Sequence, residues 1–142
     1  MSNLERAIAI AVEAHKGQKD KVGAVYILHP LRVMARVNTE AEKIVAILHD
    51  VVEDTRWTFD DLRKEGFSEE VIAAIDCVTK REGEAYEDFV KRAAPNPIAR
   101  RVKIADLEDN MDVRRVETVT PKDAERWNKY LKAWQYLNSI PT

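Results

Sequence analysis

The chain has 142 residues, enough for one domain with its own hydrophobic core, and its single cysteine, Cys77, excludes an intramolecular disulfide and a Cys-x-x-Cys metal site. With 23 Lys and Arg against 25 Asp and Glu, the formal net charge of −2 excludes the basic excess typical of nucleic-acid binding. Because the apolar run at residues 7–12 is too short for a membrane span and lacks signal-peptide flanks, we expect a cytoplasmic protein with no nucleic-acid partner and no membrane anchor.

Apolar residues recur at intervals of three and four along nearly the whole chain, which predicts helices. A first helix is expected to begin after Ser2 or Asn3, and two glycines predict a loop at residues 16–23. Pro30 fits the first turn of a second helix, and Thr39 is a suitable N-cap for a third helix that runs to about residue 52.

Caps and helix breakers divide the rest of the chain in the same way. Thr58 begins a short helix and Ser68 a longer one, with Gly66 between them as a stop. Three more helices are predicted at residues 84–93, at residues 98–111 and from about Pro121 onward. Since there is no strand pattern, repeat or dividing linker, we predict one compact all-α domain over residues 1–142, a bundle of about seven or eight helices.

Charged residues interrupt the most apolar of these helices. His49 and Asp50 directly follow five apolar residues, and Glu53 and Asp54 come one turn later. Residues four apart stack on a helix, so the four side chains form two adjacent polar stripes. A helix end that emerges into solvent would explain such charges. A buried end would instead need a metal, a partner or water, because an unpaired buried charge is costly.

A second carboxylate lies in an apolar stretch of the predicted seventh helix. Asp106 stacks on Asn110, four residues later, and on Lys103, three residues earlier. Because Lys103 shares this face, it is the basic residue that we most expect to contact a phosphate group.

Two imidazoles and two carboxylates from three predicted helices together make a set of nitrogen and oxygen ligands suited to Mn²⁺, Fe²⁺ or Zn²⁺. The four are His29, His49, Asp50 and Asp106. A metal in such a site activates water and neutralises charge on a phosphate, so the expected chemistry is hydrolysis of a phosphate ester. Glu53 or Asp54 would then act as the general base.

Four short sequence words surround these residues. They are AHKGQ at residues 14–18, YILHP at 26–30, LHDVVEDT at 48–55 and VKIADLEDNM at 102–111. Together with the His, His-Asp and Asp pattern, they resemble the hydrolase domain of RelA/SpoT-type alarmone enzymes, which are HD-domain metal-dependent phosphohydrolases. The resemblance covers most of residues 4–115. Because the family's synthetase and regulatory domains need several hundred further residues, we expect a stand-alone small alarmone hydrolase without synthetase activity.

The resemblance implies Mn²⁺-dependent removal of the 3′-pyrophosphate from (p)ppGpp, which leaves a nucleoside 5′-di- or triphosphate and pyrophosphate. By motif position it implies the same four metal ligands, with Glu53 and Asp54 as the catalytic acidic pair. It also implies that Asn110 contacts the nucleotide and that Lys21 lines the base site. His15 matches a family histidine that is not a metal ligand, which implies a structural role.

Three positions depart from the pattern that this family usually shows. Asp20 stands where an arginine normally stacks on the guanine, Val22 replaces a serine and Val113 replaces a threonine. A carboxylate cannot stack as a guanidinium does, but it can accept hydrogen bonds from the edge of a base. We therefore predict that Asp20 contacts the base, and the adenosine analogue (p)ppApp stays open as a substrate.

Two other functions fit parts of the same pattern. An HD-domain nucleotidase would cleave a 5′-phosphate from a mononucleotide and release orthophosphate. A non-catalytic nucleotide-sensing module would bind the same ligands without turnover. The presence of both Glu53 and Asp54 argues against the sensing module.

Overall fold

The structure is a computed structural model that describes residues 3–141. Within this range the regular secondary structure is helical, with an isolated bridge between Lys19 and Val25 as the one pairing of extended chain. The prediction of an all-α bundle is confirmed. Over the same residues, no helix is long and apolar enough to cross a membrane. The helices in chain order are α1 (Leu4–Ala14), α2 (Leu28–Ala35), α3 (Glu40–Leu48), α4 (Val51–Asp54), α5 (Phe59–Lys64), α6 (Glu69–Cys77), α7 (Tyr86–Ala93), α8 (Pro97–Asn110), a 3-10 helix (Val113–Arg115) and α9 (Pro121–Asn138).

The predicted third helix is interrupted at its polar end. α3 ends at Leu48 and α4 begins at Val51, so His49 and Asp50 lie in the break. The Nδ1 atom of His49 is 2.6 Å from the carbonyl oxygen of Ala46, which would accept from the Asp50 amide in a continuous α-helix. The side chain thus takes the place of a backbone donor. If α3 and α4 are counted as one interrupted helix, the described chain has the predicted eight.

The predicted N-caps are found where the sequence places them. Thr39 and Thr58 each form a capping box with the residue three positions later, and Ser68 accepts a hydrogen bond from the Val71 amide. Asn3 caps α1, whereas the alternative cap, Ser2, lies outside the described residues. Pro30 lies in the first turn of α2, as predicted, since that helix runs from Leu28 to Ala35.

The core has two parts that α8 joins. The larger part lies between α1, α2, α3, α6 and α8, and the five apolar residues at 44–48 are all buried in it. The smaller part holds Val90 of α7, Leu107 of α8 and Leu137 of α9. The most apolar of the predicted helices is therefore the central, buried one. Because α2, α3 and α8 pack against one another, the polar residues at their ends are brought together.

Candidate active site

A cavity of about 910 Å³ opens beside α8 and is lined by residues from nearly every part of the chain. All ten residues predicted for the site line this cavity, although they are spread over 91 positions from residue 20 to residue 110. These residues are Asp20, Lys21, His29, His49, Asp50, Glu53, Asp54, Lys103, Asp106 and Asn110.

The four predicted metal ligands meet at one end of the cavity, and we call them the His/Asp cluster. The Oδ1 atom of Asp106 is 2.8 Å from Nε2 of His29 and 3.2 Å from Nε2 of His49. The Oδ2 atom of Asp50 is 3.0 Å from Nε2 of His49 and 3.8 Å from Nε2 of His29. Both imidazoles therefore direct the same ring nitrogen at both carboxylates, and His29, His49 and Asp106 are buried.

The second ring nitrogen of each histidine contacts an oxygen outside the cluster. Nδ1 of His29 lies 2.6 Å from a carboxylate oxygen of Asp109, and Nδ1 of His49 lies 2.6 Å from the Ala46 carbonyl oxygen. Since a carbonyl can only accept, Nδ1 of His49 carries the proton, and the Asp109 carboxylate favours the same tautomer in His29. In the neutral form of each ring the lone pair then lies on Nε2, the nitrogen that faces the carboxylates and that a metal would bind.

The donor set fits a first-row divalent metal ion. Ligand atoms of His29, His49 and Asp106 lie within 4.8 Å of one another, and Asp50 adds an oxygen beside them. Two imidazoles, two carboxylates and no thiolate are suited to a borderline or hard cation. The His/Asp cluster can therefore hold a metal ion.

Opposite charges shift the ionisation of the buried cluster. Burial by itself would lower the pKa of His29 and His49, but the surrounding carboxylates outweigh it and raise both values. Burial likewise opposes the charge of Asp106, but the Lys103 ammonium and the two imidazoles hold the pKa of Asp106 well below its usual value. For Asp50, the charge of His49 outweighs burial and lowers the pKa to about 2. Both carboxylates are thus ionised at neutral pH.

Lys103 is buried beside the cluster rather than extended into the cavity. Its Nζ atom donates to Oδ2 of Asp106 over 3.0 Å and lies 4.8 Å from the centroid of the Phe89 ring. The ion pair with Asp106 outweighs burial and raises the pKa of Lys103. Lys103, which was predicted to contact a phosphate, is therefore already paired with Asp106, a predicted metal ligand.

The acidic pair lies at the exposed side of the cluster. An oxygen of Glu53 accepts a hydrogen bond of 2.7 Å from the Lys80 amide, which ties this side chain to the connector after α6. Within residues 3–141 the Asp54 carboxylate makes no hydrogen bond. Partial burial, together with the charges of Asp50 and Glu53, raises the pKa of Asp54 to about 6. A carboxylate with this pKa is suited to accept a proton near neutral pH.

The structure also places the predicted nucleotide contacts and His15. Asn110 donates from Nδ2 to Asp106 Oδ1 over 3.1 Å, and Lys21 lines the outer part of the cavity. Asp20 lies in the loop after α1, where its carboxylate binds two amides of that loop and the guanidinium of Arg115. His15 is buried at the end of α1, with Nδ1 2.8 Å from Oε1 of Gln18. This contact agrees with a structural role for His15.

Sequence reasoning missed three residues that touch the site. Asp109 is fully buried and binds His29, Arg32 and Arg115. The Tyr26 hydroxyl donates to Oδ2 of Asp50. Signals for two of them were available, because Asp109 is one helical turn after Asp106 and Tyr26 opens the word that contains His29. No local signal points to Arg115.

Comparisons with known proteins find similar sequences inside much longer chains. The sequence is 35% identical over 120 residues to a guanosine-3′,5′-bis(diphosphate) 3′-pyrophosphohydrolase of Aquifex aeolicus, a match that covers 76% of this chain and 17% of the relative. It is 34% identical over 128 residues to a GTP pyrophosphokinase of Streptomyces coelicolor, a match that covers 81% of this chain and 15% of that relative. A third relative, the bifunctional (p)ppGpp synthase/hydrolase SpoT of Escherichia coli, is 32% identical over 100 residues. This match covers 68% of this chain and 14% of that relative. This chain thus spans less than one fifth of the length of these relatives.

The fold has a counterpart among solved structures. A metazoan ortholog of SpoT that hydrolyses ppGpp matches with a TM-score of 0.78 and 24% sequence identity, covering 96% of this chain and 85% of that chain. At this level of identity the match concerns the fold. No protein-family profile matches the sequence. The resemblance predicted from the motifs is confirmed: over most of its length this chain is similar to the hydrolase domain of RelA/SpoT-type enzymes.

Proposed function

We propose that this chain is a metal-dependent hydrolase that removes the 3′-pyrophosphate from (p)ppGpp-type alarmones, including the adenosine analogue (p)ppApp. The observation that carries the proposal is the convergence of the His/Asp cluster and the acidic pair in one cavity. The names of the relatives from Aquifex aeolicus and Escherichia coli support the same substrate class. Because the substrate is a nucleotide, the cytoplasm is the expected compartment.

The His/Asp cluster would hold the metal through the Nε2 atoms of His29 and His49 and through carboxylate oxygens of Asp50 and Asp106. We favour Mn²⁺, and Fe²⁺ and Zn²⁺ suit the same donors. A bound divalent cation supplies the positive charge that polarises the phosphate and lowers the pKa of water. Asp109 and the Ala46 carbonyl keep the two rings oriented for this role.

Asp54 is our choice for the general base. Its carboxylate faces the cavity, makes no hydrogen bond within residues 3–141, and has its pKa raised to about 6. Asp54 takes a proton from the attacking water, whose oxygen bonds to the phosphorus attached to O3′. The P–O3′ bond breaks and pyrophosphate departs with the water oxygen. O3′ takes up a proton from solvent water, to which Asp54 returns the proton that it removed. Glu53, which is fixed by the Lys80 amide, orients the water.

The remaining predicted residues would bind the substrate. Asn110 and Lys21 would contact the nucleotide, since both line the cavity, Asn110 beside Asp106 and Lys21 in the loop after α1. The Lys103 ammonium is paired with Asp106, so its charge acts on the phosphate beside the cluster and offsets the excess of carboxylates there. With these roles, the 3′-pyrophosphate would lie at the His/Asp cluster and the nucleoside near the loop after α1, which carries Lys21.

Product analysis tests the proposal directly. Metal-depleted protein is reconstituted separately with Mn²⁺, Fe²⁺ and Zn²⁺, and each form is incubated with ppGpp and with ppApp. We expect turnover with Mn²⁺, giving equal amounts of pyrophosphate and GDP or ADP, and none in the depleted protein. Release of orthophosphate from a 5′-mononucleotide would instead support the nucleotidase alternative. Binding of alarmones without turnover in any metal form would support the sensing module.

A further inference from the structure

Asp20 has little capacity left for a ligand, because its carboxylate is used within the protein. Oδ1 accepts from the amides of Val22 and Ala24 at 3.0 and 2.9 Å. Oδ2 accepts from Nη2 of Arg115 at 3.1 Å, and 8% of the side chain is exposed. The carboxylate thus closes a turn in its own loop and holds an arginine from the 3-10 helix 95 residues away.

Arg115 is held from two sides and lines the cavity. Its Nη1 atom donates to the Asp109 backbone oxygen at 2.9 Å and to Oδ2 of Asp109 at 3.1 Å, while Nη2 donates to Asp20. Hydrogen bonds to a guanidinium lie near its plane, so these bonds fix the plane and occupy neither of its two faces. The side chain is 21% exposed, and the apolar residues Val22 and Val116 line the same cavity.

The charge environment separates Arg115 from the other cations of the cavity. Arg115 is paired with two carboxylates, whereas Lys21 forms no ion pair within residues 3–141. Burial and the nearby cations Arg126 and Lys129 lower the pKa of Lys21, against the opposing charge of Asp123. A polyphosphate is attracted to the cations that lack a carboxylate of their own. A fixed and largely neutralised guanidinium is better suited to stack on a flat aromatic ring.

We propose that Arg115 is the base-binding residue of the cavity, with the purine stacked on its guanidinium, and that Asp20 is a positioning residue that acts through Arg115. This inference rests on the proposed function in that it requires a nucleotide in the cavity. Stacking is tolerant of base identity because every purine presents a flat π-face. The proposal therefore predicts that guanosine and adenosine nucleotides are bound with similar affinity.

The test uses ligands that are not substrates, so that it does not depend on turnover. Dissociation constants of GDP, ADP and inorganic pyrophosphate are measured by calorimetry with the Mn²⁺-loaded protein and its Arg115→Lys variant. Lysine keeps the charge but has no plane to stack on. We expect the dissociation constants of GDP and ADP to rise about tenfold and that of pyrophosphate to change less than about twofold. Equal weakening for pyrophosphate would overturn the proposal, because Arg115 would then be a phosphate site.

A double-mutant cycle tests the role of Asp20. Asp20→Asn keeps an oxygen for the Val22 and Ala24 amides and replaces the oxygen that binds Arg115 with a donor. We expect Asp20→Asn to weaken the binding of GDP and of ADP by the same factor. In the Arg115→Lys background it should have no further effect on either dissociation constant. Additive effects, or a change confined to one base, would show that Asp20 reads the base itself and would overturn its positioning role.

A matched control is available one residue earlier in the chain. Arg114→Lys changes an arginine whose side chain is 83% exposed and paired with Asp112, and we expect all three dissociation constants to stay unchanged. If the wild-type protein binds neither GDP nor ADP, the inference fails. If GDP and ADP bind as expected but no alarmone is hydrolysed, the proposed function fails and the inference stands.

Discussion

The two ends of the cavity are built in different ways. The His/Asp cluster comes from α2, the break after α3, and α8, which pack against one another in the larger part of the core. The Nε2 atom of each imidazole lies within 3.8 Å of an oxygen of both carboxylates. The opposite end, which we call the rim, comes from the loop after α1, the 3-10 helix and the start of α9. There, Asp20 and Arg115 are held by their mutual ion pair and by hydrogen bonds to loop amides and to Asp109, and Lys21 lines the same part of the cavity.

This difference assigns the chemical step to the His/Asp cluster and the binding of the nucleoside to the rim. A change in the cluster disturbs several contacts at once, because one oxygen of each carboxylate is shared between the two imidazoles. A change at the rim alters contacts of one surface and leaves the packed helices in place. Asp109 connects the two ends, since it binds His29 on one side and Arg115 on the other. The following substitutions test this division, from the largest expected effect to the smallest.

Asp106→Ala should have the largest effect. It removes the carboxylate that both imidazoles and Lys103 contact, and leaves a buried ammonium without its partner. We expect loss of Mn²⁺ retention after gel filtration, measured by elemental analysis, and loss of alarmone turnover. Asp60→Ala, at a carboxylate that is 79% exposed on α5, is the matched control and should retain both. Full metal occupancy in Asp106→Ala would remove Asp106 from the ligand set.

The acidic pair should affect the rate without affecting metal content. In Asp54→Asn the proton acceptor is lost, so kcat should fall by about 10²- to 10⁴-fold while Mn²⁺ stays bound. Because the active form of Asp54 is the carboxylate and its pKa is about 6, wild-type kcat should fall as the pH drops through about 6. Glu53→Gln should lower kcat less than Asp54→Asn does, and its kcat should still fall at acidic pH. If this acidic fall is lost only in Glu53→Gln, the base is Glu53 and our assignment is reversed.

Asp109→Asn should have an intermediate effect that spans both ends. The amide can still accept from His29 Nδ1, but the negative charge between His29, Arg32 and Arg115 is lost. We expect Mn²⁺ affinity to fall by about 10- to 100-fold, the range for partners of metal-binding histidines. A competition titration with a chelator measures it. Glu108→Gln, one position earlier and hydrogen-bonded to Trp134, is the control that should bind Mn²⁺ normally.

Thr120→Ala should have the smallest effect and should be confined to the rim. Its hydroxyl accepts from the Asp123 amide in the capping box that begins α9. Losing this cap should lower the free energy of unfolding by about 1 kcal/mol in urea titrations, whereas Thr120→Ser should retain it. Mn²⁺ affinity should stay unchanged in both variants. A loss of metal in Thr120→Ala would show that the rim and the cluster are not independent.

The order of the helices and the composition of the His/Asp cluster could be predicted from local patterns. Thr39, Thr58 and Ser68 act as caps through contacts three residues away, which a sequence reader can count. The cluster could be predicted because His49 and Asp106 directly follow apolar residues of the sequence, where a buried and unpaired group would be costly. Such signals depend on residues within one or two helical turns, so the sequence by itself determined them.

Tertiary structure alone decided which partners these groups have. Asp20 was predicted to face a base, but its carboxylate binds Arg115, 95 residues further along the chain. Asp109 reaches His29 across 80 residues, and the turn between α3 and α4 depends on a His49 side chain that is buried by neighbouring helices. Periodicity assigns a residue to a face of its own helix, but the partner on another helix or loop is set by how those elements pack. For this reason the cluster was predicted from sequence and the rim was not.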